Sequence, residues 1–443
     1  MAKSSTVTKP VLESVPPPQA PKPRKVPARA MPYAFARYRW LPDFISKRVL
    51  GAPLAPSEQE WDRVLQALWE GDTEMDKVVD WMFESGPRQA KPLFDQALMQ
   101  GIDSLENPPE VLKQFFAHID TPPVWLNRDL VEKGVQVSRL PGEVSYFVLR
   151  DFALMGGYAL FNSMNQTLSA TGALGKQTAQ RLAETGKWVC DVTTEHGMDR
   201  FGPGFITTIR VRMVHALVRR NLRLKSDWDW DKWGLPINQI DMLATYLAFG
   251  PVQLLGSRLF GVFYTKEESQ AFMHLWRYIG WLLGMDEHWL AITEGDGVRK
   301  LYHTFMTHRL PDEKITQMGM ALRDEPIGDD PVTRNTEIWK KNPRLAKWLQ
   351  RYFYHRHISN SALFLGPIQR ARLGIPMFAL PWYPVLTFLP RFLKVSYYKL
   401  RGGDTLQAYL DRNRKQQYEG VLTFFGEQGS DIIRPQQGHP AHL

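Results

Sequence analysis

From about residue 41 onward, apolar residues recur every three or four positions, and stretches that alternate with period two are scarce. That periodicity confines the chain to helices, because a strand needs every second residue on one face. Ser57 with Glu60 reads as a capping box opening a helix, with Trp61, Val64, Leu65 and Leu68 along one face. Thr265 with Glu268 opens another, which carries Phe272, Leu275, Ile279 and Leu282. Helical spacing also runs over 142–165, 176–195, 205–223, 286–308 and 344–372, the last with a break near Gly366–Pro367. There is no internal repeat of about 20–50 residues. The chain has 443 residues, 44% of them hydrophobic, enough for a large core. The expected fold is all-α, a single large helical domain over residues 36–420.

The two ends read differently. Residues 1–40 hold Lys3, Lys9, Lys22, Arg24, Lys25, Arg29, Arg37 and Arg39 against one acid, Glu13, with prolines throughout. Such a stretch cannot build a core, so 1–35 is expected to be a disordered basic tail and 421–443 a second tail. The basic tail either touches an anionic membrane surface or an acidic partner, or is a solvated linker. No zinc-finger spacing or RNA-binding aromatic motif occurs and the remaining charge is mixed in sign, so no nucleic-acid partner is expected. The N-terminus lacks the apolar run of a signal peptide. The longest uncharged apolar run, 375–390, contains Pro376, Pro381, Pro384 and Pro390, which would break a membrane-spanning helix. Beyond it, Trp382, Tyr383, Phe388, Phe392, Tyr397 and Tyr398 beside Arg391, Lys394 and Lys399 suit either an interface or a buried C-terminal layer. The single cysteine, Cys190, excludes an intramolecular disulfide and points to a reducing, cytoplasmic location, with peripheral membrane contact as an added expectation.

Most familiar chemical motifs are missing. No Glu has a His three residues later, and there is no His-Glu-x-x-His, phosphate-binding loop or Gly-x-Ser-x-Gly. His355 and His357 are two apart and His303 and His308 five apart, spacings poorly matched to a shared metal, so these are expected at the surface or core edge. The informative stretch is 176–223, two consecutive helices joined by a loop containing Gly197, Gly202, Pro203 and Gly204. On the second helix His215 shares a face with Arg212, Arg219, Val211, Val218 and Leu222. A haem needs such a set: one axial nitrogen, an apolar wall, and cations for its propionates. On the first helix Arg181, Glu184, Thr185 and Trp188 share a face, so a guanidinium, a carboxylate and a hydroxyl can reach one small ligand such as dioxygen. An ordinary core histidine on an amphipathic helix makes the same pattern, and spacing alone leaves both readings open.

The same residues carry a resemblance. The chain is similar to the rubber oxygenases called latex clearing proteins, and to the endoplasmic-reticulum-bound oxygenase of mycophenolic acid biosynthesis. The pieces are Pro-Leu-Phe-Asp-Gln-Ala-Leu-Met-Gln-Gly at 92–101, Pro-Pro-Val-Trp at 122–125, Arg-Val-Arg-Met-Val-His at 210–215, Gly-Trp-Leu-Leu-Gly-Met-Asp-Glu at 280–287 and Arg-Leu-Gly-Ile-Pro at 372–376. The resemblance implies a globin-like core around haem b (iron) and dioxygen-dependent cleavage or oxidation of a carbon–carbon double bond in an apolar, isoprenoid-like substrate. It also implies His215 as proximal iron ligand, with Arg181 and Thr185 on the distal side. Two positions depart from the pattern. Glu184 stands where latex clearing proteins carry a lysine that can close the distal position, and Asn165 where they carry a glutamate proposed as base. With no secretion signal seen, a smaller intracellular substrate is expected rather than extracellular polymer. The competing expectation is a non-catalytic haem- or lipid-binding all-α protein at the membrane surface.

Overall fold

A computed structural model describes residues 26–31, 47–48, 53–170, 178–224, 227–327 and 341–425. The fold is all-α, with no strand among the described residues. Five helices open it: α1 (Glu58–Ala67), α2 (Thr73–Glu84), α3 (Pro87–Gln100), α4 (Glu110–Asp120) and α5 (Arg128–Arg139). Next, α6 (Val144–Phe147) runs through a π-helical stretch, Val148–Leu154, into α7 (Met155–Leu160). After these come α8 (Ser163–Ala170), α9 (Thr178–Val192) and α10 (Pro203–Leu224). The second half holds α11 (Trp230–Trp233), α12 (Gln239–Phe249), α13 (Pro251–Leu259), α14 (Lys266–Leu282), α15 (Glu294–Phe305) and α16 (Glu313–Asp324). Last come α17 (Pro343–Phe364), α18 (Pro367–Arg372), α19 (Trp382–Arg401) and α20 (Gly403–Phe425).

The local signals set many of these boundaries. Both capping boxes form: Ser57 and Glu60 exchange hydrogen bonds at the start of α1, and Thr265 and Glu268 do so at the start of α14. α17 stops at Phe364, and α18 starts with Pro367 in its first turn, as a Gly–Pro break requires. The most extensive helix pair is α5 with α14. It depends on Gly134, where an added Cβ would lie 2.5 Å from the carbonyl oxygen of Ala271. This pair belongs to the main apolar core, which α2, α4, α10, α12 and α14 share. A second, smaller core gathers Met155, Tyr158, Ile315, Met318 and Leu322 with Leu168 and Leu182 packed against it.

Several expectations change. Residues 26–31 are not part of an extended tail: Arg29 is buried, pairs with Asp241, and donates to the carbonyl oxygens of Trp233 and Thr307. A buried ion pair is invisible to a composition argument. The rest of the tail, 1–25 and 32–35, lies outside the described residues, as does the C-terminal stretch 426–443. α20 carries the helix past 420 to Phe425. The helical stretch 142–165 breaks at Phe161, whose extended backbone separates α7 from α8. Pro390 does not break α19; it is exposed within a continuous helix. No described helix is long and apolar enough to cross a membrane. Of the four histidines assigned to the surface or core edge, His303, His308 and His357 are buried and only His355 is exposed.

Candidate active site

The site starts from the α9–α10 hairpin. Its loop is tight because glycines permit it: a Cβ on Gly197 would lie 2.4 Å from the Asp191 carbonyl oxygen, and one on Gly204 2.7 Å from the same atom. The register of the pair is fixed by Trp188, whose indole Nε1 donates to the hydroxyl of Thr208 at 3.1 Å. Two helical turns are about seven residues. Seven residues back from Trp188 on α9 is Arg181, and seven forward from Thr208 on antiparallel α10 is His215. The two residues that sequence spacing singled out on separate helices therefore fall at one level of the hairpin.

His215 lies deep but keeps part of its ring uncovered, while its Nδ1 is buried with no hydrogen-bond partner. Burial, reinforced by the Arg219 charge, lowers its pKa to about 4. The imidazole is therefore neutral near pH 7, which is the form that binds a metal. A buried polar nitrogen without a partner costs about 1–3 kcal/mol. The cost marks a place where a ligand is expected.

Arg212 and Arg219 are already partnered within the protein. Arg212 makes a two-point pair with Asp72 (2.6 and 2.8 Å) and reaches Glu74 at 2.9 Å. Arg219 binds Asp76 and donates to the carbonyl oxygen of Ile237. Both are buried, and their guanidinium groups reach acids of α2 and its N-cap. Their charges hold α10 to α2. Burial works against the Asp72 charge, yet Arg212 keeps its carboxyl below the usual range; at Asp76 burial outweighs Arg219 and pushes the carboxyl up.

α7 carries a gap in the packing. Gly156 and Gly157 on α7 are buried, yet, beyond the helix's own backbone, a Cβ on either would meet no described atom within 4 Å. Protein interiors are close-packed, so such a gap is uncommon. Around it, Asn165 on α8 donates its amide to the carbonyl oxygens of Gly157 and Phe161. Tyr158 follows the glycines; burial raises its hydroxyl and the Arg181 charge opposes the shift. Ala170, at the end of α8, packs on the Val218–Leu222 side of α10. α8 thus packs beside α10, and α9 reaches the second core with α7 through Leu182. Arg181 and Glu184 are partly covered and Thr185 is exposed.

A sequence profile of the family described as "ER-bound oxygenase mpaB/B'/Rubber oxygenase, catalytic domain" matches residues 144–394, which is 251 of the 443 residues. The chain belongs to that family. It is 24% identical over 236 residues to the rubber oxygenase of Streptomyces sp. (strain K30), a match covering 52% of this chain and 55% of that protein. The chain therefore matches about half the length of this curated relative. Its fold resembles that of latex clearing protein in the closed state, with a TM-score of 0.55 and 18% identity over 80% of this chain and 91% of the other. The family stretch contains the whole hairpin, the glycine gap and Asn165. Asp72 and Asp76 lie outside it.

Two features of this oxygenase-family domain escaped the sequence reading. One is the Gly156–Gly157 step, which in sequence reads only as weak helix; adjacent glycines inside a helical stretch were the available signal. The other is a buried polar group on the π-helical stretch. Asp151 accepts from His357 Nδ1, from Asn360 and from Arg150, all at 2.8 Å, and Arg150 also binds Glu325. Burial opposes the Asp151 charge, but these donors keep its carboxyl low. Its residues are some 200 positions apart, so no local pattern announces it.

Proposed function

We propose that this chain is a haem b-dependent oxygenase acting with dioxygen on a carbon–carbon double bond of an apolar, isoprenoid-like small molecule. The observation that carries the reading is His215: a deep, neutral imidazole with an unpartnered nitrogen, at the same hairpin level as Arg181. Membership of the oxygenase family supports it further. The residues fit the group, since the orphaned nitrogen is a donor and Val211, Val218 and Leu222 lie along the same face of α10.

When bound, haem supplies an iron able to take up dioxygen. The chain's own residues do the rest. His215 would hold the iron through a ring nitrogen with no proton to lose first, because burial keeps the imidazole neutral. Arg181 cannot deprotonate, so it supplies fixed positive charge and directed donors on the far side of the site. Thr185, one turn further along α9, adds a hydroxyl donor. Glu184 is placed to pair with Arg181 at a helical spacing of three and tempers its charge. The second apolar core, which reaches α9 through Leu182, keeps water from that side. Asn165 takes no proton: its amide is spent on helix carbonyls. The single cysteine, buried and with its thiol pushed up by burial, fits a reducing, cytoplasmic setting for this activity.

The test is an absorption spectrum of purified full-length protein after haem reconstitution, followed by oxygen uptake with squalene as the unsaturated isoprenoid. The expected result is a Soret band in the wild type that His215→Ala loses, and oxygen uptake that Arg181→Leu abolishes while its Soret band stays. A wild type without a Soret band, or His215→Ala with the band intact, ends the proposal. The amide at 165, where a base is absent, favours one second reading, a haem carrier without turnover. Haem binding with no oxygen uptake would select it.

A further inference from the structure

We propose that α19 and the first half of α17 form a docking face for an anionic lipid surface, on which the protein lies without spanning it. The inference stands apart from the haem reading. Trp382, Leu386, Leu389, Leu393, Tyr397 and Leu400 recur at spacings of four, three, four, four and three, so they form a single stripe along α19. All six are exposed, Leu386 at 68%, Leu393 at 57% and Leu400 at 88%. The inner face of the same helix is satisfied by burial of Tyr383, Pro384 and Val395. Single exposed apolar residues are ordinary, but a row of this length on one helix is an interaction surface.

The stripe continues onto α17. The Trp382 ring neighbours that of Tyr352, which stacks on Trp348 at 5.8 Å, and Trp348 is 61% exposed. Tryptophan and tyrosine beside leucine are the side chains that favour the boundary between headgroups and acyl chains.

Charge selects the occupant. From residue 338 to residue 403 the chain contains no Asp or Glu, but twelve Lys and Arg. The formal charge of that stretch is +12 against +9 for the whole chain, so the remainder sums to −3. On the α19 helical wheel, Lys394 and Arg401 border one edge of the stripe, and both are exposed. On α17, Lys347 and Arg351 stand exposed beside Trp348 and Tyr352. An apolar stripe rimmed by cations and free of acids is what a helix lying in the plane of an anionic bilayer presents. A second copy of the chain would bring the same cations against one another, which opposes self-association through this face.

The measurement is co-sedimentation of full-length protein with phosphatidylcholine vesicles, and with vesicles in which about a third of the lipid is phosphatidylserine. The wild type should pellet with the anionic vesicles and much less with the neutral ones. Leu386→Gln, Leu389→Gln and Leu393→Gln combined should weaken that partitioning by about tenfold or more with the thermal unfolding curve unchanged, since all three side chains are exposed. Lys394→Gln with Arg401→Gln should erase the preference for anionic lipid. Equal pelleting of the triple variant overturns the proposal, because the basic N-terminal tail would then carry the binding. So does a wild type that ignores the anionic vesicles, or one that dimerises in solution through contacts the triple variant removes.

Discussion

The α2 side of the hairpin and its surroundings at α7 and α9 are built in opposite ways. Toward α2 it is closed: Arg212, Arg219 and Arg220 meet Asp72, Asp76 and Asp80, acids spaced by one turn each along the facing helix. Around α7 and α9 it is loose: a Cβ on buried Gly156 or Gly157 would meet no described atom within 4 Å, and Thr185 is exposed. The closed side uses acids from outside the family stretch, whereas the loose side lies wholly within it. The difference teaches that the cations on the His215 helix face serve to fix that helix to α2, while His215, between them on that face, keeps a nitrogen without a partner. The hairpin is one wall clamped from behind.

The clamp makes the largest prediction. Asp72→Ala leaves the Arg212 guanidinium buried beside only the half-exposed Glu74, and removing one partner of a buried pair costs about 3 kcal/mol or more. Urea denaturation should show that loss, and adding Arg212→Met should restore most of it. A cost below about 1 kcal/mol would mean that the two sides do not differ in the way described.

Buried histidines should make the fold acid-sensitive, and His303 and His308 add to the effect of His215. His303, on α15 and bonded to the Leu54 carbonyl oxygen, has its pKa lowered to about 4 by burial and by Arg299. His308, beside Arg29, is lowered well below its ordinary value, again by burial first. A histidine whose folded pKa lies below its unfolded value, near 6.5, takes up its proton mainly on unfolding. Its contribution is present in full above 6.5 and is lost as pH falls from there toward 4. His303 alone should remove about 2 kcal/mol between about pH 7 and pH 5. His303→Gln should flatten that slope in a pH series of denaturation midpoints; an unchanged slope would put the titration elsewhere.

How much of this was legible in the sequence follows from distance along the chain. The capping boxes at Ser57 and Thr265, the Gly366–Pro367 break and the shared faces of Arg181 and His215 are set by neighbours three or four residues away, and the structure keeps them. The partners of Arg212 and Arg219 were not legible, because Asp72 and Asp76 lie some 140 residues earlier and amphipathic spacing says nothing of which charge faces which. Arg29 failed for the same reason: inside a Pro- and Lys-rich stretch, one buried pair with Asp241 outweighs the composition around it. The glycine gap was hidden for another reason. Glycine in a helix signals either a close approach or an emptiness, and sequence does not distinguish the two.

Gly134 and Gly157 separate those two meanings. At Gly134, on the tight α5–α14 contact, a Cβ would press on the Ala271 carbonyl at 2.5 Å and on Leu275 at 2.8 Å. Gly134→Ala should therefore cost about 1–3 kcal/mol, as overpacking of a close-packed contact does.

At Gly157 the same change should have the opposite sign. Its backbone is helical, no described atom stands where the methyl would go, and alanine favours a helix interior over glycine by up to about 1 kcal/mol. Gly157→Ala should thus stabilise the ligand-free protein slightly, which a thermal or urea midpoint will register. If the gap exists to receive a ligand, the larger Gly157→Leu should fold as well as Gly157→Ala, yet take up less haem in a reconstitution titration than the wild type. A destabilised Gly157→Ala would show that the space is already filled by packed chain. Haem uptake by Gly157→Leu equal to wild type would show the space real but unrelated to His215. Either result would reduce the contrast between the α2 side of the hairpin and its surroundings at α7 and α9 to a difference in packing alone.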